Sequence, residues 1–305
     1  MDVLHAERLA RARESLEGLS VGDSFGECYF GRRDIVRDHI KDRILLDGPW
    51  RWTDDTNMAV SIYDNLRKHG EILQDDLAAS FAHHYNRSRG YGAGAHRLLE
   101  EIKSGAQWQE ASRSMFGGSG SFGNGAAMRI APIGAYFADD LDAVVENAHR
   151  SAEVTHAHPE GIAGAIAVAV AASLAYTLRH KEPPKRADFI DQVFNHVPRG
   201  EVRSKLRRAR DIASDRVEHA ADILGTGNEI SAQDTVPFVI WCAAQYLSNY
   251  EEALWATVSG LGDRDTTCAM VGGLVVMYTG IEGIPQEWVT RREPLPESIT
   301  GSIRA

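Results

Sequence analysis

The sequence predicts an all-α domain, and three observations carry that reading. Apolar residues recur near i, i+3, i+4 and i+7 along most of the 305-residue chain. Few stretches alternate as half-buried strands would. Residues Gly161 to Leu178 carry no charge and consist mostly of Ala, broken by Gly164, Ser173 and Tyr176. A membrane span would be richer in Leu, Ile and Phe, so this stretch reads as a central helix buried on all sides, its small side chains letting neighbours approach closely.

In chain order, the helical pattern begins at Leu4 to Leu19 and returns at Asn57 to Lys68, where Met58, Ile62 and Leu66 are four apart. Asp75 to Tyr85 follows, with Leu77, Ala78, Phe81 and Ala82 on one face. Leu141 to Glu153 starts behind Asp139/Asp140, which suit a helix N-terminus. Beyond the central helix, the pattern covers Ala187 to His196, Glu201 to Leu224, Ala232 to Leu247, and Tyr250 to Val258 after Asn249. Gly70, Gly200 and Gly225 follow helical runs as stop signals. Pro and Gly concentrate at Gly117 to Gly125, Glu182 to Lys185 and the tail from Pro294. None of these is long enough to mark an interdomain linker, so residues 1–305 read as a single domain.

Lys and Arg number 33 against 43 Asp and Glu, a net charge of −10, which argues against binding that neutralises a polyphosphate backbone. A small nucleotide stays within reach, because backbone amides or a metal can meet its charge locally. The three cysteines, Cys28, Cys242 and Cys268, form no CxxC pair, so neither a disulfide framework nor a thiolate zinc site is suggested, and a reducing cytoplasm is expected. The first residues, MDVLHAERLARARESLEGL, mix charges where an export signal needs an apolar run.

Four features carry chemistry. Thr53-Asp54-Asp55-Thr56 and Gly262-Asp263-Arg264-Asp265-Thr266-Thr267 each set a Thr hydroxyl beside two carboxylates just ahead of a helical stretch. Either cluster can be a helix cap. Together they offer hard oxygen ligands suited to Mg²⁺ or Mn²⁺ rather than zinc, and two such ions side by side can orient oxygens and activate water. The third feature, Gly117 to Arg129, is glycine-rich and runs into an apolar segment; it reads as a flexible loop or as a cradle of N–H groups for a pyrophosphate. Phe116 and Phe122 flank it, either as packing or as a base-stacking pair. The fourth, Thr155-His156-Ala157-His158-Pro159, supplies helix caps or hydrogen-bond donors to a phosphate or ribose.

At these residues the sequence resembles the ADP-ribosylglycohydrolase family. The matching motifs are GLSVGDSFGE at 18–27, WTDDTNMAV at 52–60, GSFGNGAAMRIAPIG at 120–134, VTHAHPEGIAGA at 154–165, GDRDTTCAMVGG at 262–273 and GIPQEW at 283–288. The resemblance implies a compact orthogonal helical bundle with a binuclear centre of two Mg²⁺, or Mn²⁺. It assigns Thr53, Asp54 and Asp55 to a first ligand trio and Asp263, Asp265 and Thr266 to a second, with Asp265 bridging. It places Ser121, Phe122, Gly123, Asn124 and Gly125 along the diphosphate and distal ribose of ADP-ribose, Phe116 and Phe122 around adenine, and His156 towards the ligand.

Two positions depart from the pattern. Some relatives carry a catalytic or gating glutamate several residues further along than Glu27, so Glu27 either fills that role or decorates the first loop. Arg264 stands between two ligand aspartates where a small or neutral residue is common; it either touches a phosphate or stabilises its own loop. Tyr91, in the segment RSRGYG, reads either as an acceptor-selecting residue on a mobile loop or as part of a surface turn.

The expected activity is removal of ADP-ribose from a modified protein, with arginine as acceptor and Asp55 as base or charge stabiliser. The alternatives are hydrolysis of serine-, nucleic-acid- or O-acyl-linked ADP-ribose, and a non-catalytic ADP-ribose-binding or crystallin-like protein. The expected partners are ADP-ribose and ADP-ribosylated protein, with no membrane, no general nucleic-acid binding and a monomeric chain.

Overall fold

A computed structural model describes residues 3–297. The order of helices is α1 (Val3–Cys28), α2 (Arg33–Lys41), α3 (Asp54–His69), α4 (Gln74–His84), α5 (Ala93–Lys103), α6 (Trp108–Gly118), α7 (Ala131–Tyr136) and α8 (Leu141–Glu153). It continues with α9 (Pro159–Leu178), α10 (Arg186–Phe194), α11 (Glu201–Asp211), α12 (Val217–Leu224), α13 (Ala232–Gln245), α14 (Tyr250–Ser259), α15 (Arg264–Thr279) and α16 (Gln286–Arg291). Among the described residues there is no strand, only the isolated bridges Trp50–Arg292 and Gly123–Ser231. The all-α expectation therefore holds. The end of the proline-containing tail, residues 298–305, lies outside the described residues.

Two helix pairs set the architecture. Gly18, Gly22 and Gly26 recur every four residues along one face of α1, and a Cβ on any of them would overlap the α15 backbone, at Gly272, Cys268 and Arg264 respectively. This small-residue ridge lets α1 and α15 pack backbone to backbone. It brings the start of α15, with its acidic cluster, beside the last turns of α1. The Ala-rich helix α9 is the second axis: Gly134 of α7 lies so close to the Ala169 carbonyl that no Cβ would fit. Of the described helices, α9 alone is long and apolar enough to cross a membrane, and its apolar window is 78% buried inside the protein. That agrees with the expectation of a central core helix.

Several boundaries differ from the periodicity. Helix α1 runs on to Cys28, because the glycines that would weaken an isolated helix are buried against α15. The single helix expected over Glu201–Leu224 is two, α11 and α12. Arg186 draws the intervening chain out of helix by bonding the Ile212 carbonyl and the Asp215 carboxylate. Of Asp139/Asp140, only Asp140 caps α8, accepting Asp142 and Ala143 N–H at 3.1 Å. Asp139 instead pairs with Arg11 at 2.6 Å. Trp288, from the GIPQEW motif, stacks on Phe25 at 4.3 Å between ring centroids and anchors the end of α1.

Candidate active site

The site is assembled around a residue that the motif reading did not single out. Asp23 is fully buried on α1 and accepts four groups from the turn that opens α3. Thr53 N–H lies at 2.9 Å, Thr53 Oγ1 at 2.8 Å, Thr56 N–H at 3.1 Å and Thr56 Oγ1 at 2.5 Å. A carboxylate from another helix thus caps α3, supplying the acceptor that its own N-cap residue, Thr53, does not. Burial pushes Asp23 up to about 6, and these donors work against that rise.

Held this way, the Thr53–Thr56 turn meets the start of α15. Asp55 is buried, and its carboxyl is raised well above the ordinary range by burial and then by the charges of Asp23, Asp265, Asp54 and Asp263. The same influences push Asp54 up to about 8 and raise Asp265. The expected two clusters are therefore brought together. Thr53 Oγ1 stands 2.8 Å from both Asp23 Oδ1 and Asp55 Oδ2, and Asp55 Oδ1 is buried without a hydrogen-bond partner. Among the described residues no group of three or more His, Cys, Asp or Glu is already drawn into a metal cage. The donor chemistry nevertheless suits a hard cation: every candidate is oxygen, a buried carboxyl oxygen of Asp55 lacks a partner, and neighbouring carboxylates repel.

A cleft of about 440 Å³ opens on this cluster. Asp54, Asp263, Asp265 and Thr266 line its acidic end, whereas Asp55 is buried among them rather than on the wall. Ser121, Phe122, Gly123, Asn124 and Gly125 line the cleft as well. This loop is pinned by Asn124 N–H to the Ile230 carbonyl at 3.1 Å and by Ala232 N–H to the Phe122 carbonyl at 2.9 Å. Gly120, with φ +74°, needs glycine twice over, since a Cβ there would lie 2.6 Å from His158 N. Gly123 does not need a left-handed backbone, having φ −62°. Its missing Cβ leaves room beside His156 Nε2, which would be 3.2 Å away.

Phe116 and Phe122 sit at the cleft's outer end with ring centroids 5.8 Å apart, 59% and 37% exposed. Helix α6 breaks to place them: Met115 is extended, and Phe116 and Gly117 have φ of +52° and +71°. Two large aromatic rings exposed at a cleft mouth are not core packing and are open to contact. Of the two histidines, His158 is a cap, its Nδ1 accepting Glu160 N–H at 3.0 Å, whereas His156 lines the cleft.

Three expected positions do not face the cleft. Tyr91 is not on a mobile loop: it is 5% exposed, packs edge-on against Tyr85, and its hydroxyl accepts Asn57 Nδ2 at 2.9 Å. Its glycine neighbours Gly90 and Gly92 line the cleft instead. Glu27 stands in the last turn of α1, exposed and outside the cleft lining, its carboxyl raised by burial of its surroundings. Arg264 turns the other way, bonding the Tyr29 carbonyl and lying 4.7 Å over the Phe30 ring. Arg129, fully buried, lines the cleft although it was read only as part of a motif.

Fold and cleft define an all-helical protein with an acidic oxygen-donor cluster at one end of a cleft and a glycine-rich, aromatic-flanked loop along it. The chain belongs to the ADP-ribosylglycohydrolase family, whose sequence model matches residues 4–303. The ADP-ribosylhydrolase ARH3 of Xenopus tropicalis is 30% identical over 323 residues, covering 93% of this chain and 91% of that protein. The ADP-ribosylarginine hydrolase Tri1 of Pseudomonas putida is 26% identical, covering 93% of this chain and 75% of that one. A solved structure described as an ADP-ribosylglycohydrolase-related protein complex shares the fold with a TM-score of 0.61 at 22% identity, covering 97% of this chain and 96% of that one.

Proposed function

We propose that this chain hydrolyses the bond between ADP-ribose and a modified acceptor, with arginine on protein as the acceptor. The observation that carries the reading is that the acidic cluster and the glycine loop border one cleft and are joined directly by Asn124, whose Nδ2 donates to Asp263 at 2.7 Å. An anionic ligand on the loop would therefore present its ribose to the carboxylates. The arginine acceptor rests on likeness to the Tri1 hydrolase.

Thr53, Asp54, Asp55, Asp263, Asp265 and Thr266 would hold two Mg²⁺ or Mn²⁺, which when bound supply Lewis-acid charge and a water of lowered pKa. The chain's own residues do the rest. Backbone N–H groups of the glycine loop receive the diphosphate, and Phe116 and Phe122 stack on the base. His156 donates to a ligand oxygen. The acidic wall balances positive charge developing on the ribose as the bond to the acceptor breaks, and a buried carboxyl, raised by its neighbours, is suited to take a proton from the attacking water.

The test is release of ADP-ribose from defined arginine-, serine-, nucleic-acid- and acyl-linked substrates, before and after chelation. Arginine-linked substrate should be turned over, turnover should stop on chelation, and Mg²⁺ or Mn²⁺ should restore it. Turnover of another linkage alone would move the acceptor. Binding of ADP-ribose without turnover of any substrate would give the non-catalytic reading, and full turnover after complete chelation would remove the metals.

A further inference from the structure

Arg129 is a fully buried guanidinium that forms no ion pair with a carboxylate among the described residues, although the charge of Asp54 reaches it. Its charge lies 4.3 Å over the Phe81 ring. Its Nη1 reaches Met58 Sδ at 3.5 Å, and its Nη2 donates to the Ser151 carbonyl at 3.0 Å and to Thr155 Oγ1 at 2.9 Å. Burying a cation on such terms is costly, so its placement calls for a reason beyond packing.

The bond to Thr155 supplies one. Thr155 Oγ1 is also 2.7 Å from His156 Nδ1. Arginine only donates, so one lone pair of Oγ1 is taken by Arg129. A hydroxyl has one proton. If Nδ1 carried a hydrogen, Oγ1 would accept twice and its own proton would have no acceptor among its described contacts. If Nδ1 is bare, the hydroxyl donates to it and every group is satisfied. The hydrogen of the neutral ring is then on Nε2, because the bond at one nitrogen decides the state of the other. Burial and the Arg129 charge push His156 down to about 3, consistent with a neutral ring.

We infer that Arg129 and Thr155 are positioning residues that lock His156 in the Nε2–H tautomer, so that it presents a fixed donor to the glycine loop. Nε2 has no protein partner among the described residues, and the missing Cβ atoms of Gly123 and Gly125 would lie 3.2 Å and 3.0 Å from it. The donor is aimed where those glycines leave space for an oxygen of the ligand. That this oxygen belongs to ADP-ribose rests on the function proposed above; the tautomer does not.

The test is a long-range ¹H–¹⁵N spectrum of the full chain, with His156 identified among the 12 histidines by its disappearance in His156→Asn. The expected spectrum shows a bare Nδ1 and a protonated Nε2. Thr155→Val, nearly the same shape without the hydroxyl, should shift the ring towards the Nδ1–H form, and Thr155→Ser should keep the native one. Protonated Nδ1 in the native protein would overturn the inference without any variant, as would an unchanged tautomer in Thr155→Val. By calorimetry Thr155→Val should bind ADP-ribose about five- to tenfold more weakly, the scale of one hydrogen bond, with Ser restoring affinity. If the native protein shows the expected tautomer but no ADP-ribose affinity, the failure falls on the ligand and not on the relay.

Discussion

Asn124 Nδ2 donates to Asp263 Oδ2 at 2.7 Å, joining the glycine loop to the acidic cluster through one amide. The same nitrogen lies 3.1 Å from Thr235 Oγ1, and the side chain is buried. Asn124→Ala leaves the Asp263 carboxylate without its donor, and Asn124→Asp places a second carboxylate against it. The Ala variant should lose about 1.5–3 kcal/mol, the scale for a hydrogen bond to a charged group. The Asp variant should lose more from ADP-ribose binding unless divalent metal is raised. Calorimetry with ADP-ribose at two Mg²⁺ concentrations checks this. Losses in stability alone, with ligand and metal affinity intact, would show the bond to be a fold contact only.

Asp55 is buried and Asp265 lines the cleft, and desolvation and neighbouring carboxylates raise both carboxyls well above the ordinary range. Asp55→Asn and Asp265→Asn remove a charge while keeping shape. Each should lower kcat by about a hundredfold or more, as expected when an electrostatic element of catalysis is lost. The far-UV spectrum should be unchanged, and the metal-free variants should melt no lower than the parent, since a repelling charge has gone. Normal kcat with a lowered Tm would instead mark these carboxylates as helix caps.

The acidic cluster also fixes the sign of a pH effect. Asp23 and Asp54 are pushed up to about 6 and about 8, above the roughly 3.9 of an unfolded aspartate. Between those limits the native state holds more protons than the unfolded one, so stability falls as pH rises. Chelator-treated protein should therefore melt progressively lower from pH about 4 to about 8, with saturating Mg²⁺ flattening the slope by taking the place of protons. A level or rising Tm in the stripped protein would mean that these carboxylates ionise without penalty.

How much of this was legible in sequence depends on whether a residue acts on its neighbours in the chain or across the fold. The Ala-rich stretch announced a buried helix because burial on every side leaves no charged face. The acidic pairs and the glycine loop were visible because several chemically alike residues stand together. Asp23 was hidden: a lone aspartate inside a helix gives no local sign that its partners are Thr53 and Thr56, 30 and 33 positions away. Its signals were a charge between Gly22 and Gly26, at a point where the helix is in backbone contact with α15, and its place in the motif GLSVGDSFGE. Tyr91 misled for the opposite reason. Its glycine and arginine neighbours have loop composition, yet the segment is tied down by Arg89, which lies 3.4 Å over Trp52 and pairs with Glu293 at 2.7 Å.

The last prediction separates binding from chemistry at the cleft's outer end. Phe122 lies within 5.8 Å of Phe116 and 5.5 Å of His158, centroid to centroid, so its ring is held at the mouth by neighbours on two sides. Phe116 is the more exposed and sits on a left-handed backbone, held on fewer sides. A base stacked here should lose about 1–3 kcal/mol of binding when Phe122 becomes Ala. The loss from Phe116→Ala should be smaller, because a less constrained ring gives back part of its contact energy in ordering. Both rings would contact the base and not the ribose, so both substitutions should raise KM more than they lower kcat, the pattern of contacts made equally in ground and transition states. Calorimetry with ADP-ribose and with ribose 5-phosphate is the check: only the ligand carrying the base should notice Phe122. Equal losses for both ligands would place the base elsewhere and make Phe122 a support for the glycine loop.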